Sequence, residues 1–148
     1  MLLKFVTGMK LKIKKLHADA KVPNYAHFDD AGFDLFSIEN VILKKGERAM
    51  IPTGIAMEIP EGYVGLVWDK SGLAMKHGIK TIGGVVDSAY RGEVIVGVMN
   101  LGKEDYTFEK GHKVAQMIIQ KKEFVDFEEV GELSDTTRGD GGFGSTGK

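Results

Sequence analysis

Apolar runs of strand length, separated by Gly, Asn and Lys-Gly turns, limit what this chain can become more than any other feature. Ile55-Ala56-Met57-Glu58-Ile59 runs into Pro60-Glu61-Gly62, and Tyr63-Val64-Gly65-Leu66-Val67-Trp68 starts at once on the far side. Val94 to Met99 and Val114 to Ile119 are runs of the same kind. Earlier in the chain, Leu11, Ile13 and Leu16 sit among lysines, and Val41, Leu43 and the segment from Glu47 to Ile51 follow. Short Val- and Ile-rich runs between turn signals, about ten residues apart, read as a β-sandwich or barrel. Glycine supplies 20 of the 148 residues against three prolines, about twice the usual ~7% share, as a fold of many tight turns requires. Only Ser71 to His77 reads as helical, with Ser71 as its N-cap. The expectation is one all-β domain with one short helix.

Several runs are apolar on both parities, so both of their faces need cover. Two sheets of one chain can supply it, or the face of another copy, and the pattern alone leaves both open. A net charge of −1 gives no global field for nucleic acid or an acidic membrane. No cysteine is present, and the four histidines (His17, His27, His77, His112) form no i, i+4 pair suited to a metal. No apolar run nears the ~20 residues that span a bilayer, and Met1 to Gly8 is too short for a secretory leader. The sequence thus reads as an N-terminal extension of uncertain standing (1–8), a β domain (9–137) and a glycine-rich arm (138–148), in a cytoplasmic protein.

Five segments carry chemistry. Asp30-Ala31-Gly32-Phe33-Asp34-Leu35 places a carboxylate, Asp34, at a strand start after a tight turn. Asp69-Lys70-Ser71-Gly72-Leu73-Ala74 puts a cation, a hydroxyl and a glycine where a helix begins, an arrangement that suits phosphate. In Gly83-Gly84-Val85-Val86-Asp87-Ser88-Ala89-Tyr90-Arg91-Gly92, Asp87 sits between an apolar run and a turn, where partial desolvation would suit a general base. Tyr90 can offer a ring to a sugar. Gln116 is a polar residue inside the apolar run Val114 to Ile118 and needs partners if buried. In the arm, Arg138 is a fork for a terminal phosphate. Gly144 and its fellow glycines let backbone N–H groups approach an anion, Ser145 and Thr146 add hydroxyls, and Phe143 is the sole aromatic there. Each segment has a plainer reading: a turn before a strand, a capped helix, a hairpin Asp bonding its own turn, a satisfied core glutamine, a disordered tail. Gly142 to Lys148 fits most of a phosphate-loop pattern but stops before its Ser/Thr and helix, and Arg138-Gly139-Asp140 is a common tripeptide.

Taken together and in order, AGFDL, KSGLA, GVVDSAYRG, KGHKVAQMII and RGDGGFGSTG resemble the five motifs of the homotrimeric dUTPase family, across residues 31 to 147. The resemblance implies a distorted jelly-roll or β-barrel-like subunit of the β-clip kind, assembled as a homotrimer with sites at the subunit boundaries. It implies hydrolysis of dUTP to dUMP and pyrophosphate, which limits dUTP and supplies dUMP for thymidylate synthesis. Asp87 matches the base that activates a water for attack on the α-phosphorus, and Asp34 matches a supporting carboxylate. Tyr90 matches the ring that packs on deoxyribose, and the hairpin from Gly83 to Ile95, with Gly84, Val85, Val86 and Ile95, matches the uracil reader. Lys70, Ser71, Gly72, Gln116, Arg138, Gly144, Ser145 and Thr146 match the phosphate side, and Phe143 matches a ring that stacks on uracil.

Mg²⁺ is implied, held mainly by the triphosphate and waters rather than by protein ligands. Lys70 departs from the arginine usual there, losing the bidentate fork, and His112 stands where an acidic residue is common. A dCTP deaminase shares the implied fold, but its resemblance calls for a Trp after the central Asp and a Glu on the next strand. Tyr90 stands at the first place, and Val94 to Met99 holds no Glu. A non-catalytic nucleotide-binding module on the same scaffold is the other rival, and the presence of Asp87 argues against it.

Overall fold

The computed structural model describes residues 8–147, so nearly all of the expected N-terminal extension, and Lys148 of the arm, lie outside the described residues. The elements run β1 (Lys12–Lys15), β2 (Phe33–Phe36), β3 (Val41–Leu43), β4 (Arg48–Glu58), β5 (Tyr63–Trp68), α1 (Ser71–His77), β6 (Ile79–Ile82), β7 (Val85–Val86), β8 (Glu93–Asn100), β9 (Tyr106–Phe108) and β10 (Lys113–Lys121). All pairings are antiparallel. One four-stranded sheet has the order β1-β4-β8-β6, a second has β2-β10-β5-β7, and β3 pairs with β9 alone. The all-β expectation with a single short helix holds.

Where the strands differ from expectation, a glycine or a long-range partner is the reason. The runs 47–51 and 55–59 are one strand, β4, bent in its middle. Pro52 faces Ile95 and Ala56 faces Glu93, so two extra residues bulge out of β4. Gly54 takes φ 70 there, a left-handed backbone that glycine alone adopts without penalty. A Cβ on Gly54 would lie 2.8 Å from Ile38 Cγ2. Of the lysine-flanked Leu11, Ile13 and Leu16, only Ile13 lies within the first strand. α1 covers the expected residues, but Lys70, not Ser71, holds the N-cap position in an extended backbone, and no side chain caps the helix. The Ser71 hydroxyl therefore stays uncommitted as a cap. β6 was not legible as a strand in the sequence.

The two sheets close on a core of Leu35, Ile51, Ile55, Val94, Val96, Val98, Phe108, Val114 and Met117, each at most 2% exposed. The two-faced apolar runs resolve separately. β4 is buried on both parities from Thr53 to Met57 within the chain. β8 alternates, with Val94, Val96 and Val98 inward and Ile95 outward at 43% exposure. Met50, Val85 and Ile82 lie open around it.

After Lys121 the described chain forms no further strand or helix. Phe124, Phe127 and Leu133 are all strongly exposed on this extended segment. The chain presents 11341 Å² to solvent, where a compact monomer of 16.2 kDa presents about 7500 Å².

Candidate functional site

The base-side residues converge on one cavity. β7 is the edge of the second sheet and pairs with β5 through Gly65↔Val86 and Leu66↔Val85. Its approach is possible because residue 84 is glycine. The backbone there has φ 104, a Cβ would sit 2.8 Å from the Val67 carbonyl oxygen, and Val67 N donates to Gly84 O at 2.8 Å. Beyond Val86 the chain turns, with Tyr90 N donating to Asp87 O at 3.1 Å. Gly84, Val85, Val86, Asp87, Tyr90 and Ile95 together line a cavity of about 290 Å³. This is the size of a small-ligand pocket.

The Tyr90 ring has a fixed place. Its hydroxyl donates to Glu93 O at 2.9 Å, and the ring lies over Gly92, where a Cβ would come within 2.4 Å of the Tyr90 hydroxyl oxygen. Arg91 braces the turn, donating from Nη1 to Ser88 O at 2.5 Å and to Tyr90 O at 3.1 Å, and from Nη2 to Glu58 at 3.3 Å. The sequence reading assigned Arg91 no role. Glu58, its acceptor, lies on β4 and is far away in sequence, so no local pattern marks the pair. Asp87 itself is exposed. The partial desolvation expected of it is absent in the single chain, because β7 is an edge and nothing from this chain lies across it. Among the described residues its carboxylate has no side-chain hydrogen bond or ion pair.

A second cluster gathers around the start of α1. Asp34, on β2 and 2% exposed, accepts a hydrogen bond on Oδ1 from Lys70 Nζ at 2.5 Å. Its Oδ2 lies 3.0 Å from Lys113 Nζ, a charge contact not aligned as a hydrogen bond, since that oxygen has no hydrogen-bond donor. Burial pushes the Asp34 carboxyl up, but the hydrogen bond from Lys70 and the close charges of Lys70 and Lys113 outweigh it and hold it below the usual carboxylate range. Lys70 is thus first of all a partner of Asp34. In register with Asp34, Gln116 on β10 also faces Trp68 on β5. Its Nε2 donates to Asp69 O at 2.8 Å, and its Oε1 lies over Gly32, where a Cβ would sit 2.6 Å away. Ser71 and Gly72 are exposed beside this cluster, and Gly72 faces open space. Lys70 and Gly72 line a cavity with Lys76, His77, His112 and Lys113.

The two clusters share one sheet yet not one pocket. Gly65↔Val86 and Gln116↔Trp68 fix the register. Asp87 therefore stands four residues along and two strands across from Gln116, about 16 Å at ordinary strand spacings. The arm residues form a third group. Arg138 Nε donates to Gly141 O at 2.8 Å, Ser145 N to Gly142 O at 3.2 Å, and Phe143 is fully exposed. Arm residues line neither cavity. One chain brings the sequence-selected residues together in three groups and does not bring the groups together.

Among the described residues no three His, Asp or Glu side chains gather as a metal-holding group. Without such a group, the described residues suit an ion that keeps most of its waters and is held chiefly by phosphates, which is how Mg²⁺ is usually bound. Among the described residues no helix is long and apolar enough to cross a membrane.

Known proteins resemble this chain along nearly its whole length. The sequence model of the dUTPase family matches residues 18–147. The deoxyuridine 5'-triphosphate nucleotidohydrolase of Clostridium kluyveri is 49% identical over 141 residues, covering 94% of this chain and 99% of its own. That of Nautilia profundicola is 51% identical over 142 residues, covering 95% and 100%. A variant of the Staphylococcus bacteriophage 80alpha dUTPase, solved with dUpNHpp, superposes with a TM-score of 0.88 at 31% identity, covering 94% of this chain and 99% of that one. A variant dUTPase of the S. aureus phage phi11, solved with a structural Mg(II) ion, superposes at 0.79 and 28% identity. A fold, a set of residue groups and a family match that all run the length of the body and the arm lead to one assignment: the chain belongs to the dUTPase family.

Proposed function

We propose that this dUTPase-family enzyme hydrolyses dUTP to dUMP and pyrophosphate, with Asp87 as general base. The observation that carries this reading is an exposed Asp87 carboxylate, unpaired among the described residues, on a cavity lined by the hairpin, by a fixed Tyr90 ring and by apolar side chains of Met50, Val67 and Ile82. Uracil offers N3–H as donor and O4 as acceptor, whereas cytosine reverses both. A hairpin that meets one pattern with backbone groups rejects the other, by factors of about 10⁴ to 10⁵ when the mispaired groups stay buried. The hairpin's close approach excludes the thymine methyl, and the Tyr90 ring, packed on deoxyribose, leaves no room for a 2′-hydroxyl.

Asp87 takes a proton from a water, and the water oxygen forms a bond to the α-phosphorus. The bond from that phosphorus to the bridging oxygen breaks, pyrophosphate leaves, and Asp87 returns its proton to solvent. Ser71, Gly72, Gln116, Arg138, Gly144, Ser145 and Thr146 bind the phosphate chain, and Asp34 orients Lys70 beside them. Phe143 stacks on uracil when the arm closes. Mg²⁺, if brought in on the triphosphate, would supply neutralising charge on the phosphates, which is the main catalytic demand in phosphoryl transfer. The reaction limits dUTP and yields dUMP for thymidylate synthesis, and the reading places it in the cytoplasm.

The active form in this reading is a homotrimer. The separation of about 16 Å between Asp87 and Gln116 is bridged when the hairpin of one copy meets the α1 cluster of the next and an arm (residues 138–148) crosses from another. The large exposed area and the open Phe124, Phe127 and Leu133 support it, because a lone soluble chain rarely leaves such apolar surface uncovered. The test is pyrophosphate release from dUTP, UTP, dCTP and dTTP. Release from dUTP alone is expected, and comparable release from UTP or dTTP would contradict the reading of the hairpin and of Tyr90.

A further inference from the structure

We infer that Asp69 is a positioning residue for the polyphosphate side of the site, fixing Gln116 through its carbonyl and the Lys70-Ser71-Gly72 turn through its side chain. The inference rests on the function proposed above. Asp69 follows β5 directly, and its side chain is 23% exposed. Oδ1 accepts from Thr81 N at 2.7 Å and from Thr81 Oγ1 at 2.6 Å, and Lys80 Nζ reaches Oδ1 at 3.1 Å and Oδ2 at 2.9 Å. These donors belong to β6, in the other four-stranded sheet. One carboxylate therefore ties the end of β5 to a strand that β5 does not pair with.

The carbonyl of the same residue receives Gln116 Nε2. Oε1 of Gln116 packs where Gly32 has no side chain, so the bond from Nε2 is what fixes the amide, and its second N–H remains for a ligand. The next residue, Lys70, is held by Asp34. Ser71 and Gly72 thus open α1 directly after two anchored residues. Closing a turn needs one bond. A carboxylate with three donors, whose own carbonyl also holds a glutamine from the neighbouring strand, does more than that. Charge-assisted bonds are the strong ones, so losing them frees both Gln116 and the turn, while the Tyr90 hairpin keeps its own braces at Glu93 and Glu58.

The experiment compares two ligands by calorimetry, the hydrolysis-resistant α,β-imido analogue of dUTP and dUMP, on wild type and on Asp69→Ala in the full chain. The analogue should weaken about tenfold, as for the loss of a charged hydrogen-bond set, while dUMP stays within about twofold because its base and sugar meet the hairpin. Asp69→Asn, which keeps the acceptor for Thr81, should restore most of the loss. Should Asp69→Ala fail to fold, Thr81→Val removes one donor from the same network and should weaken the analogue about threefold, again sparing dUMP. Equal weakening of both ligands would mean general loosening and would overturn the inference, as would no weakening of either. If the wild type hydrolyses dUTP while these variants bind normally, only this inference falls. If the wild type neither hydrolyses dUTP nor binds the analogue, the proposed function falls and takes the inference with it.

Discussion

Asp34 and Asp87 are both aspartates beside short strands of the same sheet, and their surroundings are opposite. Asp34 is almost sealed from water, holds two lysines and titrates below its ordinary range because of them. Asp87 stands on the open rim of a cavity with no side-chain partner among the described residues. A carboxylate already satisfied by its own chain holds a structure in place and has little left to give a substrate. A carboxylate without partners at the edge of a sheet is available to a water and a ligand, and its environment is completed from outside. The contrast supports the roles proposed above, Asp34 as a supporting carboxylate and Asp87 as the base.

Four substitutions sharpen or break that contrast. Asp87→Asn should cost the most activity, about 10² to 10⁴-fold in kcat, with a change in stability within about 0.5 kcal/mol, as for an exposed site. Steady-state kinetics and thermal melts read both, and a melt shifted as far as that of an Asp34 variant would dissolve the contrast. Asp34→Asn should do the reverse to stability. It keeps one oxygen for Lys70 but removes the negative charge between two lysines and turns an amide N–H toward one of them, at a cost of about 3 kcal/mol, the low end for a broken buried pair because both lysines keep some exposure. Since the folded Asp34 pKa is depressed, its contribution is complete above the unfolded carboxylate value and is lost as pH falls through the folded one. The stability gap between wild type and Asp34→Asn, followed by denaturant melts, should stay flat from pH 7 to about 5 and narrow below about pH 4.

Smaller effects are expected nearer the edges of each cluster. Tyr90→Phe loses the bond to Glu93 O, and the freed ring should raise KM for dUTP about fivefold and lower the preference for dUTP over UTP. Lys70→Arg, which can keep Asp34 with one arm of its fork and offer the other to phosphate, should lower KM by about threefold with kcat unchanged. If this variant binds no better than wild type, Lys70 belongs wholly to Asp34.

The sequence reading went furthest where chemistry is local. The Pro60-Glu61-Gly62 turn forms as expected, with Tyr63 N donating to Pro60 O and Gly62 at φ 83, and the helix at 71–77 needed only its own residues. It stopped where partners are distant. The bulge at Gly54 joins two apparent strands because β8 pairs across the break, and nothing within residues 47–59 shows that. Asp69, Arg91 and Lys113 were inside segments already singled out, but the residues that give them work (Thr81 and Lys80, Glu58, Asp34) lie on other elements. The exposure of Phe124, Phe127 and Leu133 follows from where β10 ends, which the apolar pattern alone did not fix. The proposed reach across copies came only from the family resemblance, since spacing along a chain says nothing about which copy a segment visits.

That reach is open to direct measurement. Asp87→Asn and a chain truncated after Thr137 should each be inactive, one lacking the base and the other the arm. Refolded together in equal amounts, they form mixed trimers in which about a quarter of the sites receive an intact Asp87 from one copy and an intact arm from another, so dUTP hydrolysis should return to about a quarter of the wild-type rate. Activity that stays at the sum of the two separate variants would show that a single chain builds its whole site, and would contradict the account.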